Sequence, residues 1–192
     1  MFLSHRPSSK TIARFIEESG RLPLSYPQAG IASNPPQNYD VDETAVVIGS
    51  GEAGFERAKA ALLSWKHFDL DWARICPEGA RIEIGTTVAV LVRHFGFWSL
   101  NGCRVLYFLG DRSHGRTFGF AYGTLVNHAE QGEEIFQVSL NQASQAVTYH
   151  IRTASRPRAA LARLGYPVAR MLQDRFRHDS GEALRRAMQV VR

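Results

Sequence analysis

FGFAYGTLVNHAEQGEEIFQVSL, residues 118–140, alternates bulky apolar side chains with small or polar ones on both sides of a short polar centre. Phe118, Phe120, Tyr122, Thr124 and Val126 share one face of the first half. In the second half Glu134 shares a face with Phe136, Val138 and Leu140. A period of two around a turn near His128–Gly132 predicts an antiparallel β-hairpin with one packed face. Glu134 is the odd carboxylate on that apolar face, and His128 can point the same way from the turn. A slip of one residue in register would move every one of these side chains to the other face.

The alternation continues outward. Upstream, Ile82, Ile84, Val88, Val90 and Val92 alternate with polar or small residues, and a further strand is expected over Cys103–Leu109. Downstream, Val147, Tyr149 and Ile151 alternate with Thr148, His150 and Arg152. The period then returns to 3.6: Val168, Leu172, Phe176, Leu184 and Met188 mark a long C-terminal helix, with Pro167 suited to its first turn. Near the N-terminus a short amphipathic stretch runs from Thr11 to Glu18. Residues 21–43, rich in Pro, Gly, Asn and Ser, are expected to wrap irregularly over the surface. A short buried strand is expected at Ala45–Ile48, followed by a helix whose stripe is Phe55, Ala58, Leu62 and Trp65. The stretch WKHFDLDWARICPEG has no clean period. An antiparallel sheet must bury its apolar face, and these helices are what can cover it. The fold class is therefore α+β: a curved antiparallel sheet of about five to seven strands, covered by N-terminal helices and a long C-terminal helix.

With 192 residues, 44% hydrophobic and 21% charged, the chain suits one folded domain, with residues 1–23 as an N-terminal extension. No apolar run approaches the roughly 18 residues that cross a bilayer. The N-terminal MFLSHRPSSK lacks a secretory apolar core, so a soluble, cytoplasmic protein is expected. Cys76 and Cys103 form no close-spaced motif, which excludes a disulfide scaffold and a CxxC metal or redox site. From Ile151 onward ten arginines face only Asp174, Asp179 and Glu182, a net charge of +7 on a chain of +5. Such a face can meet nucleic acid or an anionic surface, although a solvated helix face is the plainer reading.

AVVIGSGEAGFERA carries G-x-G-x-x-G at Gly49, Gly51 and Gly54, after a strand and at the start of a helix. That context fits a dinucleotide- or flavin-dependent oxidoreductase. The following KHFDLDWAR, however, offers no apolar run for a second parallel strand, so a glycine-rich helix start is the plainer reading.

Two sets of residues are candidates for function. His128 with Glu133 or Glu134 forms a plausible acid–base pair at the rim of the apolar face, where desolvation raises a carboxyl pKa. The same residues also suit a structural tie of the hairpin. No tight ligand spacing supports a metal there, and no cofactor is indicated. Tyr26, Trp65, Trp72, Trp98, Tyr122 and Thr124 could line a pocket for a small hydrophobic molecule. His67, His94 and His150 each stand alone and receive no role.

Several stretches resemble the domain-of-unknown-function 1990 family: LSYPQAG at Leu24–Gly30, the Gly49/Gly51/Phe55/Ala58/Trp65/Trp72 run, Gly85, Trp98/Asn101/Cys103/Val105, YGTLVNHAEQGEEIF at Tyr122–Phe136, and SRP at Ser155–Pro157. The likeness spans residues 24–188 and implies no particular activity. The order of elements also resembles the START-like helix-grip fold, in which a curved sheet grips a long C-terminal helix around a cavity. That resemblance implies a small hydrophobic ligand between sheet and helix, or an enzyme using the His/Glu pair in the same place.

Overall fold

The computed structural model describes residues 1–110, 116–157 and 166–189. Its centre is one antiparallel sheet. In chain order the strands are β1 (Phe2–Leu3), β2 (Asp40–Ser50), β3 (Ala73–Cys76), β4 (Thr87–His94), β5 (Phe97–Leu109), β6 (Thr117–Thr124), β7 (Glu130–Leu140) and β8 (Ala146–Pro157). They lie side by side as β2-β8-β7-β6-β5-β4-β3, with the two-residue β1 on the flank of β5. Helices are α1 (Ser9–Gly20), α2 (Gly51–Leu63) and the long α3 (Tyr166–Met188), with Pro167 in its first turn. A curved antiparallel sheet holding a long C-terminal helix is the helix-grip arrangement.

The hairpin is the one its alternation predicts. Phe118 opposes Val138, Phe120 opposes Phe136, and Tyr122 opposes Glu134. The turn itself sits earlier than expected, because β6 ends at Thr124 and β7 already begins at Glu130. The apolar face packs against α2, α3 and the 3-10 turn Lys66–Phe68. Its core holds Phe55, Leu62, Trp65, Phe68, Phe118, Phe120, Phe136, Tyr149 and Leu184. On the other face, α1 covers Ala89, Leu91 and Leu100 through Phe15. The irregular segment after it places Tyr26, Ile31 and Ala32 over Ala121, Ile135 and Ala154.

Three elements differ from the sequence reading. The strand expected at Ala45–Ile48 runs over eleven residues as an edge paired only with β8, and of its residues Ile48 alone is buried. The stretch without a period contains the 3-10 turn and β3, whose four residues are too few to display an alternation. Residues 1–20 also pack on the sheet, with the amino group of Met1 donating to the Leu100 carbonyl at 2.8 Å.

The dinucleotide reading of Gly49, Gly51 and Gly54 does not survive the topology. The strand before α2 is antiparallel to β8, so no parallel βαβ unit exists there. The glycines serve packing. A Cβ on Gly49 would stand 2.9 Å from Met188 Cε, and Gly51 turns the chain into the helix at φ +71°.

Candidate functional site

The sheet register lays a row of polar side chains across the apolar face. Asp42 of β2 opposes Thr153 of β8, Thr153 opposes Glu134 of β7, and Glu134 opposes Tyr122 of β6. The Tyr122 hydroxyl donates to Glu134 Oε2 at 2.9 Å, and the Thr153 hydroxyl donates to Oε1 at 2.9 Å. Each carboxyl oxygen thus accepts one hydrogen bond and keeps a second lone pair. Towards the other end of the sheet the next row is apolar: Ile151, Phe136 and Phe120.

The first half of α3 closes over this row with a polar stripe. The Gln173 amide donates to Glu130 Oε2 at 2.8 Å and to Ser155 Oγ at 3.1 Å. Arg170 grips Asp42 through both terminal nitrogens, one of them 2.6 Å from Oδ1, and donates to Gln173 Oε1 at 3.1 Å. Arg177 is only 9% exposed, pairs with Asp174, and lies 3.5 Å from Asp42. The bond to Arg170 holds the Asp42 carboxyl below its usual range. Burial does the opposite to Glu130 and pushes it up.

Glu134 is the centre of the site. Desolvation dominates its titration and raises the carboxyl from 4.5 to about 7, outweighing the bonds from Tyr122 and Thr153. It is nevertheless only half-buried. The raised value makes a stability prediction. Because the folded carboxyl titrates above the unfolded one, its contribution is fully present below pH 4.5 and is lost as pH rises through 7. Wild type should lose about 3 kcal/mol relative to Glu134→Gln across that window. Urea unfolding of both proteins at pH 4.5, 6 and 8 measures the gap; a gap that stays constant contradicts the buried acid.

The other candidates are dispersed. Glu133, the next residue, faces the opposite side of the sheet, where it accepts from Tyr26, Tyr107 and the amides of Gly30 and Ala32. Tyr26 therefore belongs to the irregular segment covering that opposite face, away from Glu134. His128 Nδ1 accepts from the Glu130 amide at 2.9 Å, tying the hairpin turn. Thr124 bonds Ser25 Oγ at 2.6 Å and receives the Gly132 amide at 2.9 Å. Trp98 packs beside α1 with Arg6 and Arg93 over its ring. Trp65 is core, its ring nitrogen donating to the Ala80 carbonyl at 2.8 Å. Trp72 lies against Leu172 and Phe176 of α3 and donates to Asp179 Oδ2 at 2.9 Å. Of the predicted residues, the structure thus joins Tyr122 directly to Glu134 and sets Trp72 under the same helix.

Thr153, Ser155, Gln173, Asp42 and Arg177 are site residues the sequence reading missed. Two of them were within reach, because the Val147, Tyr149, Ile151 parity runs on to Thr153 and Ser155. Among the described residues no group of three or more His, Cys, Asp or Glu side chains is arranged to hold a metal. The described C-terminal arginines are largely engaged: Arg152 with Glu43, Arg156 with Gln131, Arg175 with Asp179 and Arg185 with Glu182. Arg158, Arg163 and Arg192 lie outside the described residues. A separate open depression of about 520 Å³ between α2 and the second half of α3 is lined by Arg57, Ser64, Lys66, Asp69 and Arg186, none of them a candidate above.

The family model described as "Domain of unknown function (DUF1990)" matches residues 25–183. The chain belongs to this family. Its relatives include a UPF0548 protein of Dictyostelium discoideum, 34% identical over 98% of this chain and 96% of the relative. Another is UPF0548 protein At2g17695 of Arabidopsis thaliana, 30% identical over 96% of both chains. A third is the UPF0548 protein of Deinococcus radiodurans, 34% identical over 97% of this chain and 98% of the relative. Among solved structures, hypothetical protein jhp0584 from Helicobacter pylori superposes with a TM-score of 0.53 at 13% identity, over 87% of this chain and 96% of that one. The di-domain ARO/CYC BexL from the BE-7585A biosynthetic pathway gives 0.51 at 8% identity, over 84% of this chain and 53% of that one. At those identities the likeness concerns the fold alone. No helix among the described residues is long and apolar enough to cross a membrane.

Proposed function

We propose that this DUF1990 protein binds a small, mainly hydrophobic molecule beneath the first half of α3, with Glu134 as its polar anchor. One observation carries the reading: Glu134 is desolvated enough to titrate near 7 while the residue stays only half-buried on the face that α3 covers. The apolar side proposed for the site is Phe68 and Phe136 of the core with Phe176 of α3 itself, the Phe68 and Phe176 ring centroids being 4.7 Å apart. Mostly apolar walls with a few placed polar groups are what small-molecule sites offer. The free lone pairs of Glu134 select a ligand that presents an N–H or O–H donor. The same carboxyl, poised near neutrality, favours a second reading in which Glu134 exchanges a proton with that ligand.

The probe N-phenyl-1-naphthylamine, neutral and aromatic with one N–H, tests the site. Its fluorescence should rise saturably with wild type and with Trp98→Ala, which alters the other face. Thr153→Phe, placing a ring in front of Glu134, should abolish the rise in protein that still melts cooperatively. Non-saturable binding, or a Thr153→Phe titration equal to wild type, counts against the pocket. Native mass spectrometry of gently purified protein should show an adduct that leaves on denaturation.

A further inference from the structure

The tip of the β4–β5 hairpin sets exposed aromatic residues in and beside a tight turn. Phe95 occupies the left-handed region at φ +47°, followed by Gly96 at φ +80°, a two-residue turn that suits Asn-Gly far better than Phe-Gly. The Phe95 side chain gains no burial in return, being 65% exposed. Beside it Phe97 is 55% exposed and, on the neighbouring β1, Phe2 is 67% exposed. The rings are adjacent: Phe2 meets His94 edge-on at 6.0 Å, and His94 meets Phe95 at 6.3 Å. Three phenylalanines at these exposures present roughly 350–400 Å² of aromatic surface, the size of a functional patch on an ordinary protein.

The two segments that carry the phenylalanines are themselves basic, although Asp71 lies close by, next to Trp72, whose carbonyl accepts the Arg93 amide. Residues 1–16 and 84–110 contain no Asp or Glu. They contribute Arg6 and Arg93, which lie over the Trp98 ring at 5.7 and 5.9 Å and have no carboxylate partner among the described residues. Aromatic side chains at a hairpin turn, with arginines behind them, match the two layers of a membrane surface: acyl boundary and anionic headgroups. We infer that the β4–β5 tip, with Phe2, is a docking surface for a membrane carrying anionic lipid. The protein would lie on such a membrane without crossing it.

Vesicle flotation at low salt tests this independently of the Glu134 pocket. Wild type should bind phosphatidylcholine vesicles containing 30% phosphatidylserine at least tenfold better than pure phosphatidylcholine vesicles, and 0.5 M NaCl should erase most of that preference. Phe95→Asn combined with Phe97→Ser should lower binding at least tenfold. Because Asn suits the left-handed turn, the loss cannot be assigned to a damaged fold if the melting temperature is unchanged or higher. Arg6→Gln with Arg93→Gln should remove the preference for phosphatidylserine. Equal binding by wild type and the Phe variant overturns the inference. So does concentration-dependent dimerisation that the same variant abolishes, which would make a second copy the occupant.

Discussion

Glu133→Ala is expected to cost about 4–5 kcal/mol of unfolding free energy, a large share of what a domain of this size possesses. The carboxyl is 1% exposed. It accepts the Tyr26 hydroxyl and the Gly30 amide on Oε2, both at 2.9 Å, and the Ala32 amide and Tyr107 hydroxyl on Oε1. Burial and the neighbouring carboxylate hold both phenols above their usual range, so they stay protonated and keep donating. Truncation leaves four donors facing a void under the segment that covers this side of the sheet. Each unpaired donor costs about 1–3 kcal/mol, reduced where loosening admits water. Glu133→Gln should cost less than Glu133→Ala, because it fills the space and loses only one acceptor oxygen. Urea unfolding gives the free energies. Hydrogen exchange at Gly30 and Ala32 should accelerate in the alanine variant before the rest of the sheet is affected. A loss below about 1 kcal/mol would mean the segment is held by packing, not by the carboxyl.

Glu133 also shows where a sequence stops being legible. The strands could be read because an antiparallel meander writes its packed face as a period of two, from Phe118 through to Ile151. The same parity put Glu134 on the packed face, and there it stands. Glu133, by parity, belongs to the polar face, and nothing local announces that a segment a hundred residues earlier folds over it. That contact is tertiary, made by Tyr26 and two backbone amides, and leaves no periodic mark. β2 was read too short for a related reason: an edge strand with only Ile48 buried carries almost no apolar signal. Asp42 lies on β2, whereas Arg170 and Gln173 lie one turn apart on α3, more than a hundred residues away in the chain. Only the register of β2 against β8, and the laying of α3 across it, makes them one network. Phe95 and Phe97 sit at the β4–β5 tip, where the turn interrupts the alternation that marks a packed face, so no period announces that they are exposed.

His67→Phe should produce the largest change, and only in acid. His67 is 0% exposed, and neither ring nitrogen has a hydrogen-bond partner. Its ring stacks on Trp65 at 5.6 Å and lies among Phe68 at 4.9 Å, Phe136 at 4.6 Å, Phe120 at 5.9 Å and Tyr149 at 6.3 Å. No charge in that box can compensate a proton, and desolvation lowers the imidazole from 6.5 to about 3. The unfolded chain takes up a proton below 6.5 that the folded protein refuses, so stability is full above 6.5 and is lost as pH falls toward 3. The loss reaches about 5 kcal/mol, and the phenylalanine variant is spared it. Glu134 carries the opposite slope between 4.5 and 7. The two slopes cancel between pH 4.5 and 6.5, where folding in effect moves one proton from the imidazole to the carboxyl. Their joint contribution is therefore flat in wild type. It should fall with rising pH in His67→Phe and climb in Glu134→Gln. Chemical unfolding at half-unit steps from pH 3.5 to 8 resolves the three curves. Parallel curves for wild type and His67→Phe would show that the imidazole finds a partner or a proton in the folded state.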